Sequence, residues 1–311
     1  MNEPTPVTRI TLSIAAVERD TGLSKDTLRV WERRYGFPTP DRDPIGERAY
    51  ALAEVEKLRI VKRLLDAGHR PGRVVALTLA QLQAIADQTV DQPQRGNEAV
   101  LGNADLQAHI DTIRAHDPAR LRQELMRLLS RYGVGRFVLE VVSPLNAAVG
   151  EAWMRGQLEV FEEHLYTETV QTVLRGAIAA LPPANDSHHR TVLLTTFPGE
   201  PHGLGLLMAE AVLAMEGCRC LSLGVQTPLW DIVLAAKAYR ADVVALSFTG
   251  CTNPNQVADG LAELRGKLPS SVALWAGGSA PVLHRRPVAG VQAFATLTEI
   301  PAALQRLSSR A

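Results

Sequence analysis

The C-terminal part of the sequence alternates short apolar runs with helical stretches, and this alternation restricts the fold more than any other feature. The apolar runs predict five strands, at residues 191–195, 219–223, 243–247, 272–276 and 292–295. Strands that alternate with helices are typical of a parallel sheet covered by helices on both faces. We therefore expect a doubly wound, Rossmann-like α/β domain here.

The segment between the first strand and the next helix contains the first candidate for chemistry. Residues 195–205 are Thr-Thr-Phe-Pro-Gly-Glu-Pro-His-Gly-Leu-Gly, so a lone histidine, His202, lies among turn-forming residues. In open α/β sheets ligands bind at the carboxyl ends of the strands, where this loop is expected. A neutral imidazole is a good metal ligand, and Glu200 could orient it. The residues alone also leave open a solvated loop histidine without a ligand.

Two later stretches extend this pattern. Ser247-Phe248-Thr249 ends the third strand, and Gly277-Gly278 follows the fourth. Glycines without a Cβ allow a bulky ring to approach the backbone closely. Together, Glu-x-His-x-x-Gly, Ser-x-Thr and Gly-Gly resemble the cobalamin-binding domain shared by methionine synthase, the mutases and light-sensing regulators.

That resemblance implies that His202 is the lower axial ligand to cobalt. It also implies that the cofactor is lined by a further set of residues, namely Glu200, Gly205, Ser247, Thr249, Gly277 and Gly278. The sequence departs from the family in two places: many members have Asp at the position of Glu200 and Leu at the position of Thr249.

The N-terminal residues 11–37 contain the signals of a helix-turn-helix. Ser13 and Ser24 are suited to cap two short helices, and Gly22 lies in the turn between them. The second helix carries side chains that can bind base edges and phosphates, which are Lys25, Thr27, Arg29 and Arg33. The proline-rich residues 38–50 predict a hairpin wing that adds Arg42, Arg48 and Tyr50. A solvated charged helix followed by a loop is the alternative for these residues taken singly.

As a block, residues 11–70 resemble the winged-helix DNA-binding domain of the MerR family. The segment Thr-Leu-Arg-x-Trp-Glu-Arg-Arg-Tyr-Gly, residues 27–36, is a near-complete match to its recognition helix and adds Tyr35 to the DNA-binding candidates. Glu47 departs from the pattern, since a basic residue or histidine often stands there in the wing. A periodic helix over 52–66 is expected to support the wing, Gly68 to end it, and residues 74–88 to form another helix.

Residues 104–181 show only helical periodicity, in four segments that predict a small bundle, at 105–115, 118–132, 135–154 and 158–181. Pro144 is expected to kink the third segment. On the residues alone, Trp153 is a core residue and Glu163-His164 belongs to a polar face. However, Trp, nine intervening residues and then Glu-His resemble the light-responsive CarH and LitR repressors of the MerR group. The resemblance implies that Trp153, Glu163 and His164 cover the upper face of the corrin and enclose an adenosyl group.

Met154 departs from this group, because several of those proteins have a histidine directly after the tryptophan that ligates cobalt after illumination. The sequence leaves three candidates for the upper position in the light: the Met154 thioether, a bundle histidine such as His109 or His116, or water.

The expected domains are a winged helix over 1–90, a linker over 91–103, a four-helix-bundle cap over 104–184 and the Rossmann-like domain over 185–311. The sequence has 33 basic and 33 acidic residues, which argues against indiscriminate polyanion binding but not against one basic face. Cys218, Cys220 and Cys251 are too few and scattered for a disulfide framework. No signal peptide or apolar run of about 20 residues is evident, so we expect a cytoplasmic protein with no membrane span.

The resemblance as a whole implies a transcriptional repressor of operator DNA that uses adenosylcobalamin to sense light. Its dark form would be a homotetramer, a dimer of dimers, which light takes apart. In an alternative, cobalamin is a nutrient signal, or the C-terminal half docks a partner without cofactor; Met154 and Thr249 favour this alternative. A cobalamin-dependent enzyme would need a substrate domain and would leave residues 11–70 unexplained, so no catalytic residue is expected.

Overall fold

The computed structural model describes residues 11–43, 45–66, 69–90, 100–182, 190–250 and 252–308. These residues form two compact units. The first contains the described residues of 11–90 together with Met154–Gly156, and the second contains those of 100–153 and 157–308. Residues 91–99 of the first expected linker, residues 183–189 at the next boundary, Gly68 and Cys251 lie outside the described residues.

The first unit is the winged helix-turn-helix that the sequence predicts. Its elements are β1 (Thr11–Ser13), α1 (Ile14–Thr21), α2 (Lys25–Tyr35), β2 (Asp41–Arg42), β3 (Arg48–Ala51), α3 (Leu52–Asp66), α4 (Pro71–Val74) and α5 (Leu79–Val90). The wing, β2 and β3, is joined by β1 in an antiparallel sheet of order β1-β3-β2, a third strand that the sequence did not signal. The helix expected over 74–88 is instead a single turn, α4, followed by α5.

Side-chain caps set the limits of the two short helices. The Ser13 hydroxyl accepts a hydrogen bond from the backbone N–H of Ala16, and the Ser24 hydroxyl accepts one from Thr27. Gly22 ends α1 with a φ of 70°, in the left-handed region where a side chain would be strained. The turn between the helices is therefore fixed by local sequence, as the helix-turn-helix prediction requires.

The second unit begins with the helical bundle. Its elements are α6 (Asn103–Arg114), α7 (Pro118–Arg136), a π-helical turn (Phe137–Val142), α8 (Ser143–Met154) and α9 (Val160–Ala179). Gly133, with φ 72° and ψ 167°, interrupts the helix between the second and third predicted segments. Because Pro144 has no N–H to donate to the preceding turn, the π-helical turn directly before it is the form that the expected distortion takes.

The bundle is followed by a five-stranded parallel sheet. Its elements are β4 (Thr191–Thr195), α10 (Leu204–Met215), β5 (Arg219–Ser222), α11 (Leu229–Ala238), β6 (Val243–Ser247), α12 (Pro254–Lys267), β7 (Ala273–Gly277), α13 (Val282–Arg285), β8 (Val291–Phe294) and α14 (Ile300–Ser308). The order is β5-β4-β6-β7-β8, with every pair parallel. All residues of β4 and β6 are buried, as expected for a sheet covered on both faces. The chain order reverses between β4 and β6, and ligands bind outside the carboxyl ends of strands at such a switch point.

The bundle and one face of the sheet share one apolar core, to which α10 contributes Leu206, Leu207 and Ala211. Polar contacts also cross this junction. The fully buried Tyr166 of α9 donates its hydroxyl to the Asn146 side-chain oxygen, and Asn146 Nδ2 lies 3.3 Å from Met208 Sδ of α10. Bundle and sheet are therefore packed as one body. Across the described residues, no helix is both long enough and apolar enough to cross a bilayer.

Candidate functional site

The loop between β4 and α10 holds a hydrogen-bonded pair, Glu200 and His202. The Glu200 carboxylate is fully buried, whereas 52% of the His202 side chain is exposed. His202 Nδ1 lies 2.7 Å from Glu200 Oε1, and the His202 backbone N–H donates to the same oxygen at 3.2 Å. Because a carboxylate accepts, we assign the imidazole proton to Nδ1, which puts the lone pair on Nε2. This tautomer is the one that a metal-ligating histidine needs.

Thr249, which follows β6, completes the environment of the carboxylate. Its backbone N–H donates to Glu200 Oε2 at 2.7 Å, and its hydroxyl lies 2.8 Å from Oε2 and 3.0 Å from Oε1. Burial alone would raise the pKa of Glu200, but the hydrogen bonds from His202 and Thr249 outweigh it and hold that pKa below its ordinary value. Glu200 is thus an ionised, fully bonded acceptor. We call Glu200, His202 and Thr249 the lower site.

A further threonine, which the sequence analysis did not single out, fixes the loop that carries this pair. The Thr196 hydroxyl donates to the Glu200 carbonyl at 2.6 Å and accepts from the Gln226 backbone N–H at 2.8 Å. Thr196 is fully buried at the end of β4. The position of Thr196 beside the His202 loop was its only sequence signal.

The predicted small residues form a cradle beside the lower site. A Cβ added to Gly205, at the start of α10, would lie 3.2 Å from the Ser247 hydroxyl, so glycine keeps the space between α10 and β6 open. Ser247 pairs with Gly277 across the sheet, which brings both to the same edge. Glycine is needed at position 278 for a different reason. Gly278 has φ 110°, and a Cβ there would lie 2.2 Å from the Phe248 carbonyl oxygen, so the fold itself requires glycine.

The donor chemistry fits a cobalt corrinoid. An imidazole oriented by a buried carboxylate can supply an axial nitrogen, and glycine at position 205 places no side chain against the Ser247 hydroxyl. The structure brings His202, Glu200, Gly205, Ser247, Thr249 and Gly277 to the carboxyl ends of the strands at the switch point of the sheet.

The residues predicted for the upper face lie at one end of the bundle, and we call Trp153, Glu163 and His164 the upper site. Trp153 is half-buried near the end of α8 and packs against the core, whereas Glu163 and His164 lie in the first turn of α9. Glu163 accepts from the Thr167 hydroxyl at 2.7 Å. His164 Nε2 is 3.7 Å from Glu163 Oε2, and 71% of the His164 side chain is exposed.

The two other bundle histidines have local partners. His116 Nε2 lies 2.9 Å from a carboxylate oxygen of the buried Glu162, and its ring lies against Phe161 at a tilt of 48°. His109 Nδ1 donates to the Asp105 carbonyl at 2.7 Å. Each histidine therefore has a structural role within the bundle.

Most of the predicted DNA-binding side chains of the recognition helix α2 make contacts with neighbouring residues of the protein. Arg29 Nη1 lies 3.1 Å from Asp26, and Arg33 Nε lies 3.4 Å from the Arg29 carbonyl; both arginines are exposed. Lys25 Nζ is 3.5 Å from Glu18, and the Thr27 hydroxyl is 2.8 Å from that of Ser24. Exposed contacts of this kind are weak, so DNA groups can replace them at low cost.

The wing residues divide into one exposed side chain and two held by the protein. Arg42 is exposed and donates to the Gly46 carbonyl at 2.7 Å. Arg48 forms a two-pronged ion pair with Glu32 of α2, at 2.8 and 3.3 Å, which raises the pKa of Arg48 and ties the wing to the helix. Tyr50 is fully buried in the core of this unit. Tyr50 was predicted on the DNA-facing surface, and we correct this, because its ring fills the core beneath the wing.

The predicted Tyr35 lies at the end of α2 and is half-buried, with the Arg34 guanidinium 5.3 Å from its ring centre. Its hydroxyl oxygen would lie 3.6 Å from a Cβ at Gly72, so the hydroxyl end of Tyr35 contacts the start of α4.

The chain matches three known family models, one within the first compact unit and two within the second. Residues 12–81 match the MerR HTH family regulatory protein, and residues 106–175 and 190–306 each match a B12 binding domain. The chain is 34% identical over 276 residues to the HTH-type transcriptional repressor CarH of Myxococcus xanthus, which covers 85% of this chain and 87% of that protein. It is 31% identical to the repressor CarA of the same organism, with 85% of each chain covered.

Among solved structures, the monomethylamine corrinoid protein of Methanosarcina barkeri superposes with a TM-score of 0.51. It covers 67% of this chain and all of that protein at 16% identity. At this identity the likeness shows only that the helical bundle and parallel sheet share a fold with that protein.

Proposed function

Since this chain belongs to the family of MerR-type, cobalamin-binding transcriptional repressors that includes CarH and CarA, we propose that it is a light-responsive repressor whose signal is carried by adenosylcobalamin. It is a DNA-binding and cobalamin-binding transcriptional regulator, because its own sequence matches the MerR HTH family and two B12 binding domains, and no catalytic role is proposed for it. The adenosyl form, the response to light and the change of assembly are the steps proposed here.

The lower site is the observation that carries the proposal. His202 would supply the lower axial nitrogen, Glu200 would hold its tautomer, and Thr249 would hold Glu200. Gly205, Ser247 and Gly277 would line the space beside the sheet, with Gly278 shaping the strand end. When bound, adenosylcobalamin supplies a cobalt–carbon bond that visible light breaks.

The upper site would convert occupancy into movement. Trp153, Glu163 and His164 would enclose the adenosyl group from the bundle side. Bundle and sheet share one apolar core, so a change in the group bound between them would change how the two pack together. Such a change acts on DNA binding through two discrete assembly states. We propose a dark homotetramer, a dimer of dimers, in which several DNA-binding units act together and bind more tightly than one.

On the first unit, the proposed DNA contacts are the accessible side chains of α2 and the wing, which are Lys25, Thr27, Arg29, Arg33, Tyr35 and Arg42. Arg48 would act through the wing, by its ion pair with Glu32. The proposed domain limits remain 1–90, 104–184 and 185–311, with a linker over 91–103. A cytoplasmic location remains a prediction from the sequence.

The proposal is tested by purifying the full chain in the dark with adenosylcobalamin. The absorption spectrum and the size-exclusion profile are recorded before and after green light. The expected result is co-eluting cofactor, a changed spectrum on illumination and a smaller species. An assembly that binds cofactor but keeps its size in the light contradicts the light-sensing step.

The second candidate is a repressor that senses cobalamin as a nutrient, without light, or that docks a partner without cofactor. Met154 still favours it, because Met154 replaces the histidine expected after Trp153. Thr249 no longer does, since it donates to Glu200 and would thereby support the proposed ligand His202. Light-independent dissociation on adding cobalamin supports the nutrient sensor, and absence of bound cofactor supports the docking module.

A further inference from the structure

The recognition helix exposes one large apolar side chain, Val30. Its side chain is 43% exposed, whereas the other apolar residues nearby in α2, Leu28 and Trp31, are buried in the core. A β-branched residue gains nothing from an exposed helix position, because its rotamers are restricted and its methyl groups contact water. Val30 therefore lies where packing within this unit does not account for it.

Charged side chains surround Val30. Residues three and four apart are neighbours on a helix, which places Asp26 on one side of Val30 and Arg33 and Arg34 on the other. Arg29 precedes it and is held by Asp26 in an exposed ion pair. We call Asp26, Arg29, Val30 and Arg33 the outer face of α2.

Three other side chains of α2 are committed to the protein. Leu28 and Trp31 face the core, and Glu32 binds Arg48 of the wing. That ion pair neutralises the Glu32 carboxylate, so the outer face retains a basic excess that suits DNA. Val30 is thus an apolar side chain among charged ones, with the Asp26–Arg29 pair on one side and Arg33 and Arg34 on the other. Such a surface suits a polyanion that also carries an apolar group.

Major-groove edges offer one such group, the 5-methyl of thymine. Arginines to either side can bind guanine edges or phosphates, which would fix the helix while the valine contacts the methyl. We infer that Val30 is a specificity-determining residue that contacts the 5-methyl group of one thymine in each half-site of the operator. This inference rests on the DNA-binding function and deepens it.

The test uses a duplex selected from a randomised DNA library by the full-length protein. Each thymine of that duplex is replaced in turn by deoxyuridine, which removes only the methyl group and keeps base pairing. Affinities are measured at one fixed salt concentration, because phosphate contacts make binding salt-dependent. The variants are Val30→Ala, which favours the helix by propensity and so keeps the fold, and Ile45→Ala, which removes another exposed apolar side chain, on the wing.

The wild type is expected to lose about fourfold in affinity at one thymine per half-site, the factor that burial of one methyl-sized group supplies. Val30→Ala is expected to bind the thymine duplex about fourfold more weakly for each half-site, about 16-fold for two, because every bound subunit loses its contact. It is expected to show no further loss at that uracil, whereas Ile45→Ala keeps the full uracil effect. A uracil scan that is flat in the wild type, or unchanged in Val30→Ala, overturns the inference while DNA binding stands. Failure to select any duplex overturns the DNA-binding function, and the inference with it.

Discussion

The lower site and the upper site are held by different means. In the lower site, three donors from two loops converge on one buried carboxylate at 2.7–2.8 Å, through His202 Nδ1, the Thr249 backbone N–H and the Thr249 hydroxyl. In the upper site, Glu163 is held by one hydroxyl of its own helix, and His164 is mostly exposed. The lower site is preorganised and the upper site is adjustable.

The difference follows from the elements that carry each site. The loops after β4 and β6 meet because the two strands are neighbours at the switch point of the sheet, so their positions are fixed by the backbone ladder. The upper residues lie near the ends of α8 and α9, beside the five-residue turn of residues 155–159, and no strand ladder holds them. A sensor needs both kinds of site. A fixed lower site holds the cofactor, and an adjustable upper site responds to the chemical form of the cofactor.

The largest effect is expected from His202→Ala. Removing the imidazole takes away the proposed axial ligand, whereas the cradle stays. Loss of an outer hydrogen-bond partner of a metal ligand costs about 10–100-fold in affinity, and loss of the ligand itself is expected to cost more. Adenosylcobalamin is titrated in the dark, and the protein-bound absorbance is measured.

His164→Ala is the matched control for this variant, because it removes an exposed histidine from the upper site. We expect a loss of affinity below about tenfold for it, in keeping with an adjustable site. Equal losses in the two variants would contradict the division into a fixed and an adjustable half.

Thr249→Val should have the next largest effect. It removes the hydroxyl that donates to the buried Glu200 carboxylate but keeps the backbone N–H. Hydrogen bonds to charged groups contribute about 1.5–3 kcal/mol, so the unfolding free energy of the cofactor-free second unit should fall by about 2 kcal/mol. Urea unfolding followed by circular dichroism measures the change, with Thr249→Ser expected to recover most of it.

The upper-site counterpart is Thr167→Val, which removes the hydroxyl bound to Glu163, a side chain that is 30% exposed. Water can replace that bond, so the expected cost is below about 1 kcal/mol. A cost as large as that of Thr249→Val would show that the upper site is as tightly held as the lower one.

The sequence predicted most of the fold because the signals were local. The caps at Ser13 and Ser24 and the apolar runs of the five strands act over a few residues, and the structure has them at or within about one residue of the expected positions. The third strand of the wing sheet was missed, since Thr11–Ser13 forms a strand only by pairing with β3.

Side-chain roles that depend on distant partners could not be predicted. Thr249 was expected to line the cofactor, and the structure shows that it donates to Glu200, 49 residues earlier. Arg48 binds Glu32 across 16 residues, and Tyr50 is buried by helices that its strand does not specify. The residue types were visible in the sequence, but their partners were set by topology.

Trp153→Ala sharpens the comparison on the upper side. The indole offers a large apolar surface to the proposed adenosyl group, and its loss should lower the preference for adenosylcobalamin over hydroxocobalamin about tenfold. Binding of hydroxocobalamin, which depends on the lower site, should change little. Parallel dark titrations with the two cobalamins measure the ratio.

Trp230→Ala is the control, since Trp230 lies on α11 with 58% of its surface exposed, far in sequence from the bundle. It should leave the ratio unchanged. If Trp153→Ala weakens both cobalamins equally, Trp153 supports the bundle and does not select the upper group.

A modest effect is expected from Tyr166→Phe, at the junction that joins the two halves. Tyr166 is fully buried, and its hydroxyl donates to Asn146, whose Nδ2 contacts Met208 of α10. Removing the hydroxyl leaves the Asn146 oxygen without its buried donor, so the unfolding free energy should fall by about 1 kcal/mol. Tyr239→Phe, at a half-exposed phenol on the sheet side, should cost less than about 0.5 kcal/mol in the same urea titration.

The most informative result for Tyr166→Phe is the change in hydroxocobalamin affinity compared with the change in unfolding free energy. If the lower site is fixed by the strand ladder alone, affinity for hydroxocobalamin stays at the wild-type value while the junction loosens. The shift in assembly size on illumination should then weaken, because the bundle transmits less of its change to the sheet. A drop in hydroxocobalamin affinity that matches the drop in stability would show that the grip on the cofactor depends on the bundle, and that the two halves form a single cooperative site.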